Sequence, residues 1–303
     1  MSTSPQRGRF APSPSGRLHG GNLLAFLLAW LSARSQNGEI VLRMEDLDQQ
    51  RCSPAQAELI REDLSWLGLD WDYESPPQSQ RAPAYGQALA ALRQQGLVYP
   101  CWCSRGQLRA GSAPHAGDGH AVYSGRCRRL SPQQRAAQKG PASQRLLVPA
   151  EMIGLYDRVQ GWYGENLAHD CGDFVLQKAD GGFAYQLAVV VDDGESGVTQ
   201  VVRGRDLLSS VPRQLYLYRL LGLTPPQYYH IPLLLAPGGR RLSKRDRDLD
   251  AGRLRLQYRP QQLLGRLAQS CGLLEQAEPV ELTELLSLFD WAKVKREDAT
   301  LEL

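Results

Sequence analysis

Apolar and polar positions change their period repeatedly along the first hundred residues, and each change marks an element. Residues 8–11 read as a short buried strand, and the apolar run Leu23–Leu31 predicts a helix from Asn22 onward. Between them a Pro/Ser/Gly cluster predicts a tight loop. That helix should reach residue 36 and stop at Asn37-Gly38, a pair suited to a left-handed cap, and Glu39–Met44 follows as a buried strand. Ser53-Pro54-Ala55-Gln56 reads as a capping box opening a helix with Ile60, Leu64 and Leu67 on one face and a stop at Gly68. A further helix spans Pro83–Gln95. Strands alternating with helices predict an α/β fold, a Rossmann-type doubly wound parallel sheet, with its ligand at the carboxyl ends of the strands. Ser13 and Glu45, both just past strand ends, should therefore meet at one crevice.

The pattern breaks at Cys101. A stretch rich in Arg, Gly and Ser follows, after which Phe174–Lys178 and a run from Phe183 flank Asp180-Gly181-Gly182, a hairpin signal. Leu187–Val191 is apolar enough to be a buried part of the resumed sheet, Val198–Val202 reads as another strand, and Ile231–Leu235 leads into a basic loop. Leu-rich segments at 261–274 and 280–290 predict helices. Four segments result: 1–100 and 173–250 as the two halves of the nucleotide-binding domain, 101–172 as an insertion, and 251–303 as a short helical C-terminal part.

Composition alters this picture little. With 303 residues, 42% hydrophobic and 22% charged, the chain can bury a full core as a globular protein. Its start has no apolar core of a signal peptide, and its longest apolar run is too short to span a bilayer, so a cytoplasmic location without membrane association is expected. Six unevenly spaced cysteines point to a metal site or incidental thiols; Cys52, Cys171 and Cys271 read as ordinary small apolar residues. The net charge of +3 is unevenly spread. Residues 101–150 carry eight Lys/Arg against Asp118 alone, and residues 240–259 eight more against Asp246, Asp248 and Asp250, which suits contact with a phosphate backbone.

Candidate chemistry concentrates at residues 9–22, Arg-Phe-Ala-Pro-Ser-Pro-Ser-Gly-Arg-Leu-His-Gly-Gly-Asn. Amides at a helix start, with the positive end of its dipole, favour an anion there. Gly16, Gly20 and Gly21 admit a phosphate that a Cβ would repel, and His19 adds a donor. Such a loop alone is compatible with an ordinary strand-to-helix connection. A second basic loop, Arg240-Arg241-Leu242-Ser243-Lys244-Arg245-Asp246, follows Pro237-Gly238-Gly239. Together the two segments resemble the paired signatures of class I aminoacyl-tRNA synthetases, usually written HIGH and KMSKS. Arg9–Ser13, Arg43-Met44-Glu45-Asp46-Leu47-Asp48, Ala188–Asp193 and Val202-Arg203-Gly204 narrow the resemblance to the glutamyl branch, over roughly residues 8–250.

The resemblance implies activation of glutamate by ATP, accompanied by Mg²⁺, to glutamyl-adenylate. His19, Gly20, Gly21 and Asn22 on one side and Leu242, Ser243 and Lys244 on the other would bind ATP, with His19 and Lys244 the catalytic pair. Arg9 and Arg203 would take the carboxylates of glutamate and Glu45 its ammonium, with Phe10, Ala11, Pro12, Ser13 and Tyr185 completing the pocket. Gly20, Asn22, Arg205 and Arg245 depart from the usual pattern, and none of them removes a required ligand. In the insertion, Cys101, Cys103 and Cys127 can supply three corners of a tetrahedral zinc site that staples an otherwise unpackable loop. Ligand chemistry favours His115 or His120 as the fourth; some members of the resembled branch instead place a tyrosine where Tyr123 stands, and Tyr123 is the expectation adopted.

Length is the largest departure. Full-length glutamyl-tRNA synthetases continue past the Lys244 loop into a helical anticodon-binding region for which only some fifty residues remain here. The shape resembles the truncated paralogues, the glutamyl-Q tRNA(Asp) synthetases, which glutamylate queuosine at the wobble position of tRNA(Asp). A monomer is expected. Charging of the tRNA 3′ end, as a short ordinary glutamyl-tRNA synthetase, is the competing reading, and a non-catalytic tRNA-binding module is the third.

Overall fold

The computed structural model describes residues 6–104, 122–235 and 250–300. Strand β1 (Arg7–Phe10) leads to helix α1 (Gly20–Arg34), which returns to β2 (Glu39–Leu42) beside it in parallel. Helix α1 starts two residues before its predicted start, taking in Gly20 and Gly21. Because it is apolar on nearly every side, α1 is buried all round, as such a helix must be. It ends at Arg34, two residues short of the expected 36, and Asn37 adopts the expected left-handed conformation at φ 53°. Helix α2 (Pro54–Trp66) has the Ser53 hydroxyl on the Gln56 amide, but the Gln56 side-chain oxygen has no partner, so only half of the predicted capping box forms. Strand β3 (Tyr73–Glu74) pairs in parallel with β2, and helix α3 (Ala82–Gln94) follows.

The described part of the insertion is antiparallel. Strand β4 (Val98–Cys101), short helix α4 (Pro132–Ala136) and β5 (Ser143–Leu146) precede a hairpin of β6 (Met152–Asp157) and β7 (Gly161–Asn166). A four-residue helix α5 (Leu167–Asp170) and β8 (Val175–Gln177) complete it, with β5 central between β4 and β8. The predicted hairpin at Asp180-Gly181-Gly182 turns as expected, yet its second arm is a single bridge, Phe183 to Gln177. The chain leaves the sheet there because Leu187–Val191, expected in the sheet, lies in helix α6 (Tyr185–Glu195). A continuous apolar run buries equally well either way; here the helix directs Asp192 and Asp193 inward against buried arginines.

Strand β9 (Gln200–Gly204) runs alongside β1, the Thr199 amide donating to the Arg7 carbonyl at 2.9 Å, and pairs in parallel with β10 (Gln227–Ile231). Helix α7 (Val211–Leu221) between them, with Pro212 in its first turn and a left-handed cap at Gly222, is not among the predicted elements. The three-stranded sheet β3-β2-β1 and the pair β9-β10 lie side by side at the Thr199–Arg7 contact, and residues at or just past the carboxyl ends of β1, β2 and β9 meet around one cavity. Strand β11 (Leu234–Leu235) ends at the basic loop, which lies outside the described residues. Beyond it come α8 (Ala251–Gln257), capped by Asp250, and the two expected helices, α9 (Pro260–Cys271) and α10 (Leu282–Leu288). The closing strand β12 (Ala299–Thr300) pairs with β11. The larger core lies around α1 and the C-terminal helices; a second lies around α3, α6 and α7. Among the described residues no helix is long and apolar enough to cross a membrane.

Candidate active site

A cavity of about 220 Å³ opens where β1, β2 and β9 end, beneath the first turn of α1. His19 caps that helix in extended conformation, and the Asn22 carboxamide accepts the His19 amide at 3.2 Å, which fixes the entry of the chain. A Cβ at Gly21 would stand 3.1 Å from the His19 ring, so glycine here leaves the imidazole its place at the cavity wall. No acid occupies the first turn, and the dipole of this 15-residue helix faces the cavity unopposed from within. His19 also bridges Asp250, and the Ala251 amide donates to the Leu18 carbonyl at 2.7 Å. Both flanks of the loop over residues 236–249 are thereby tied to this cavity, since Leu234 lines it too.

Behind the cavity lies a buried chain of charges. Asp193 pairs with Arg9 at 3.1 Å and Arg43 at 2.8 Å, and Arg43 reaches Glu45 at 3.1 Å. Asp192 holds Arg81 at 2.6 Å and accepts from Gln78 and the Tyr85 hydroxyl. Burial opposes the charge on Arg9 and Arg43, but Asp193, Glu45 and the other anionic neighbours together outweigh it and both stay more basic than an ordinary arginine. Burial also raises the Glu45 carboxyl, with Arg43 and Arg9 pulling the other way. Arg9 engages Asp193 through Nε and also lines the cavity. Arg203 differs: its partners are His230 Nε2 (3.0 Å), Gln214 Oε1 (3.0 Å), the Leu207 carbonyl (3.3 Å) and the Tyr185 hydroxyl (3.4 Å). None is a carboxylate. A guanidinium so deeply buried, with only neutral hydrogen-bond partners among the described residues, favours an anionic guest.

A second constellation sits at the end of β4. The sulfurs of Cys101, Cys103 and Cys127 all lie within 4.8 Å of one another. The Cys101 thiol and the Tyr123 hydroxyl are hydrogen-bonded at 3.5 Å, and the hydroxyl accepts the Cys127 amide at 2.8 Å, while the Arg145 guanidinium stacks 4.0 Å above its ring. Burial works against the Cys101 thiolate, but the Tyr123 hydrogen bond and nearby donors bring the thiol down to about 7. Burial and the neighbouring sulfurs push Cys103 up to about 12. Sulfurs around one tetrahedral zinc stand about 3.8 Å apart, so three thiols already this close fit such an ion.

Residues 6–279 match the family model described as the catalytic domain of class I tRNA synthetases (E and Q). The chain belongs to this family. It is 47% identical over 307 residues, 96% of this chain and 94% of the relative, to a protein of Symbiobacterium thermophilum named glutamyl-Q tRNA(Asp) synthetase. A protein of Geobacter sulfurreducens with the same name is 53% identical over 252 residues, 82% of this chain and 79% of that one. Among solved structures, a glutamate tRNA ligase from Elizabethkingia meningosepticum in complex with its amino acid superposes with a TM-score of 0.84 at 29% identity. That match covers 99% of this chain and 67% of the ligase. The class I fold with its parallel sheet is thus established, as is kinship with glutamate-specific ligases.

Within this synthetase fold, Arg9, Ala11, His19, Gly21, Asn22, Glu45, Tyr185 and Arg203 line the one cavity. Four other expected pocket residues do not. Phe10 is fully buried against Phe26, with ring centroids 5.2 Å apart, because alternate residues of β1 face the core. Pro12 is buried and contributes its carbonyl, which accepts the Glu45 amide at 2.8 Å and so sets where Glu45 stands. Ser13 is exposed, its hydroxyl near Ser15 and Cys52, and Gly20 is covered within the helix start. Leu242, Ser243 and Lys244, like His115 and His120, lie outside the described residues. Arg43, Asp193, His230 and Gln214 received no role from the sequence. A signal existed for the first two, since a charge closing a buried apolar run (Ile-Val-Leu-Arg, Val-Val-Val-Asp-Asp) must find a buried partner.

Proposed function

We propose that this protein activates glutamate with ATP and transfers it to the queuosine base of tRNA(Asp). One observation carries the activation half: Glu45 and the unpaired-by-carboxylate Arg203 face one cavity under the amino end of α1. Glutamate offers an ammonium and two carboxylates. Glu45 takes the ammonium, and Arg9 and Arg203 each take a carboxylate through guanidinium N–H groups. Tyr185, hydrogen-bonded to Arg203, and Ala11 close the walls. A carboxylate oxygen of the α-carboxyl attacks the α-phosphorus of ATP, taken as its Mg²⁺ complex, and pyrophosphate leaves. His19, the Gly20 and Gly21 amides and Asn22 meet the phosphates on one side, and Lys244 with Leu242 and Ser243 on the other, stabilising charge that grows in the transition state. A hydroxyl of the queuosine cyclopentene cis-diol, which imitates a terminal ribose, then attacks the acyl carbon and releases AMP.

The transfer half rests on kinship: the chain spans 94% of a relative named for the queuosine reaction but 67% of a glutamate tRNA ligase. In this reading residues 101–172 form an RNA-facing insertion between the nucleotide-binding halves 1–100 and 173–250. Zinc held by Cys101, Cys103, Cys127 and Tyr123 supplies it with structure alone. Cytoplasmic residence accords with a tRNA substrate. The test is transfer of labelled glutamate: tRNA(Asp) trimmed of its 3′ CCA should accept it, and queuosine-free tRNA(Asp) with intact CCA should not. Charging of intact tRNA(Glu) with trimmed tRNA(Asp) inert would instead establish 3′-end aminoacylation.

A further inference from the structure

Arg203 and His230 stand opposite each other in the register of β9 and β10, and Asp157 reaches them from the β6–β7 hairpin of the insertion. Arg203 Nε carries a hydrogen and can only donate, so His230 Nε2, 3.0 Å away, must accept. The ring proton is then on Nδ1, which donates to Asp157 Oδ2 at 2.6 Å. Asp157 is fixed in turn: its Oδ1 accepts the amides of Val159 (3.0 Å), Gln160 (2.8 Å) and His230 (3.1 Å). Both side chains are inaccessible to solvent, and neither lines the cavity. We propose that Asp157 and His230 are positioning residues whose single permitted tautomer holds the Arg203 guanidinium edge-on to the cavity, setting affinity for the amino acid. Gln214 and the stacked Tyr228 ring, 5.2 Å from the guanidinium carbon, restrain the remaining freedom of Arg203. The pocket for the amino acid is therefore completed by a residue of the insertion that never touches it.

The inference rests on the glutamate-activating reading, and one substitution separates them. In D157N the three amides keep an oxygen at the Oδ1 position, so the new NH₂ points at His230 Nδ1 and donates. The ring must move its proton to Nε2, where it opposes Arg203 Nε–H, donor against donor. In glutamate-dependent pyrophosphate exchange, D157N should raise KM for glutamate on the order of ten- to a hundredfold while KM for ATP stays within about threefold. In H230Q the side-chain oxygen can still accept from Arg203, and adding D157N there should cost less than about threefold, because no ring is left to invert. Should D157N not fold, H230Q against H230L gives the same reading: the acceptor retained in the first keeps glutamate KM low, and its loss in the second raises it. Wild-type protein without exchange would defeat the glutamate reading itself. Wild-type exchange with unchanged glutamate KM in D157N, equal losses for both substrates, or equal KM in H230Q and H230L would defeat this inference alone.

Discussion

Asp193 joins two buried guanidiniums, and neutralising it gives the sharpest test of the charge chain behind the cavity. Asp193→Asn preserves shape but removes, among the described residues, the only carboxylate paired with Arg9 and one of those held by Arg43. Arg9 and Arg43 are 5% and 0% exposed, so water cannot replace the lost partner. Breaking such a pair from one side costs about 3–5 kcal/mol, because the orphaned charge stays desolvated. Unfolding entropy of roughly 2.1 cal/mol/K per residue, scaled to this length, turns that loss into a fall in Tm of about 5–8 °C. The control is Glu39→Gln, which breaks an ion pair of similar length, Arg7–Glu39 at 2.7 Å, whose side chains are 28% and 42% exposed. Solvent holds that pair to less than about 1 kcal/mol, or about 2 °C. Both shifts are read by calorimetry in low-salt buffer at neutral pH. A D193N protein melting within about 2 °C of wild type, or an E39Q shift as large, would refute the claim that burial decides the strength of these pairs.

Lys244→Ala should lower glutamate-dependent pyrophosphate exchange by about a hundredfold or more, since it removes transition-state charge; undiminished exchange rules Lys244 out. Cys127→Ser should lose zinc in elemental analysis and sensitise residues 101–127 to protease while glutamate-dependent exchange persists, and a stoichiometric metal content in that variant would contradict the proposed ligand set. Burial lowers the pKa of His230; burial acts to raise that of Asp157, but the hydrogen bond and charge of His230 together with the backbone amides bring it down. Below the ordinary histidine value of 6.5 the unfolded chain binds protons that the folded ring resists, so stability present at neutral pH should decline on acidification. Tm measured from about pH 7.5 to 5 should fall more steeply in wild type than in H230Q, and parallel slopes would show that the ring does not titrate between the states.

Local chemistry was legible without the fold. Asn37 at its left-handed cap, Ser53 on the Gln56 amide, and the glycine stop at Gly68 each follow from what three or four adjacent residues can do. The strand, loop and helix at residues 7–34 were legible for the same reason, although only the second basic segment at residues 240–246 turned the loop from an ordinary connection into a candidate anion site. The two glutamyl-type segments around Arg9 and Arg203 also announced a shared pocket, although 194 positions separate them. What adjacency could not decide was every choice settled by distant partners. Leu187–Val191 buries as strand or helix; only the helix brings Asp192 to Arg81 and Tyr85, and Asp193 to Arg9 and Arg43. Phe10 and Ser13 belong to the right segment yet miss the cavity, since the pleat of β1 and the turn after it set which side chains face it. The tautomer of His230 lies furthest from the sequence. It depends on Asp157, 73 positions away, and on Arg203, 27 away, and a hydrogen-bond direction exists only once all three are packed together.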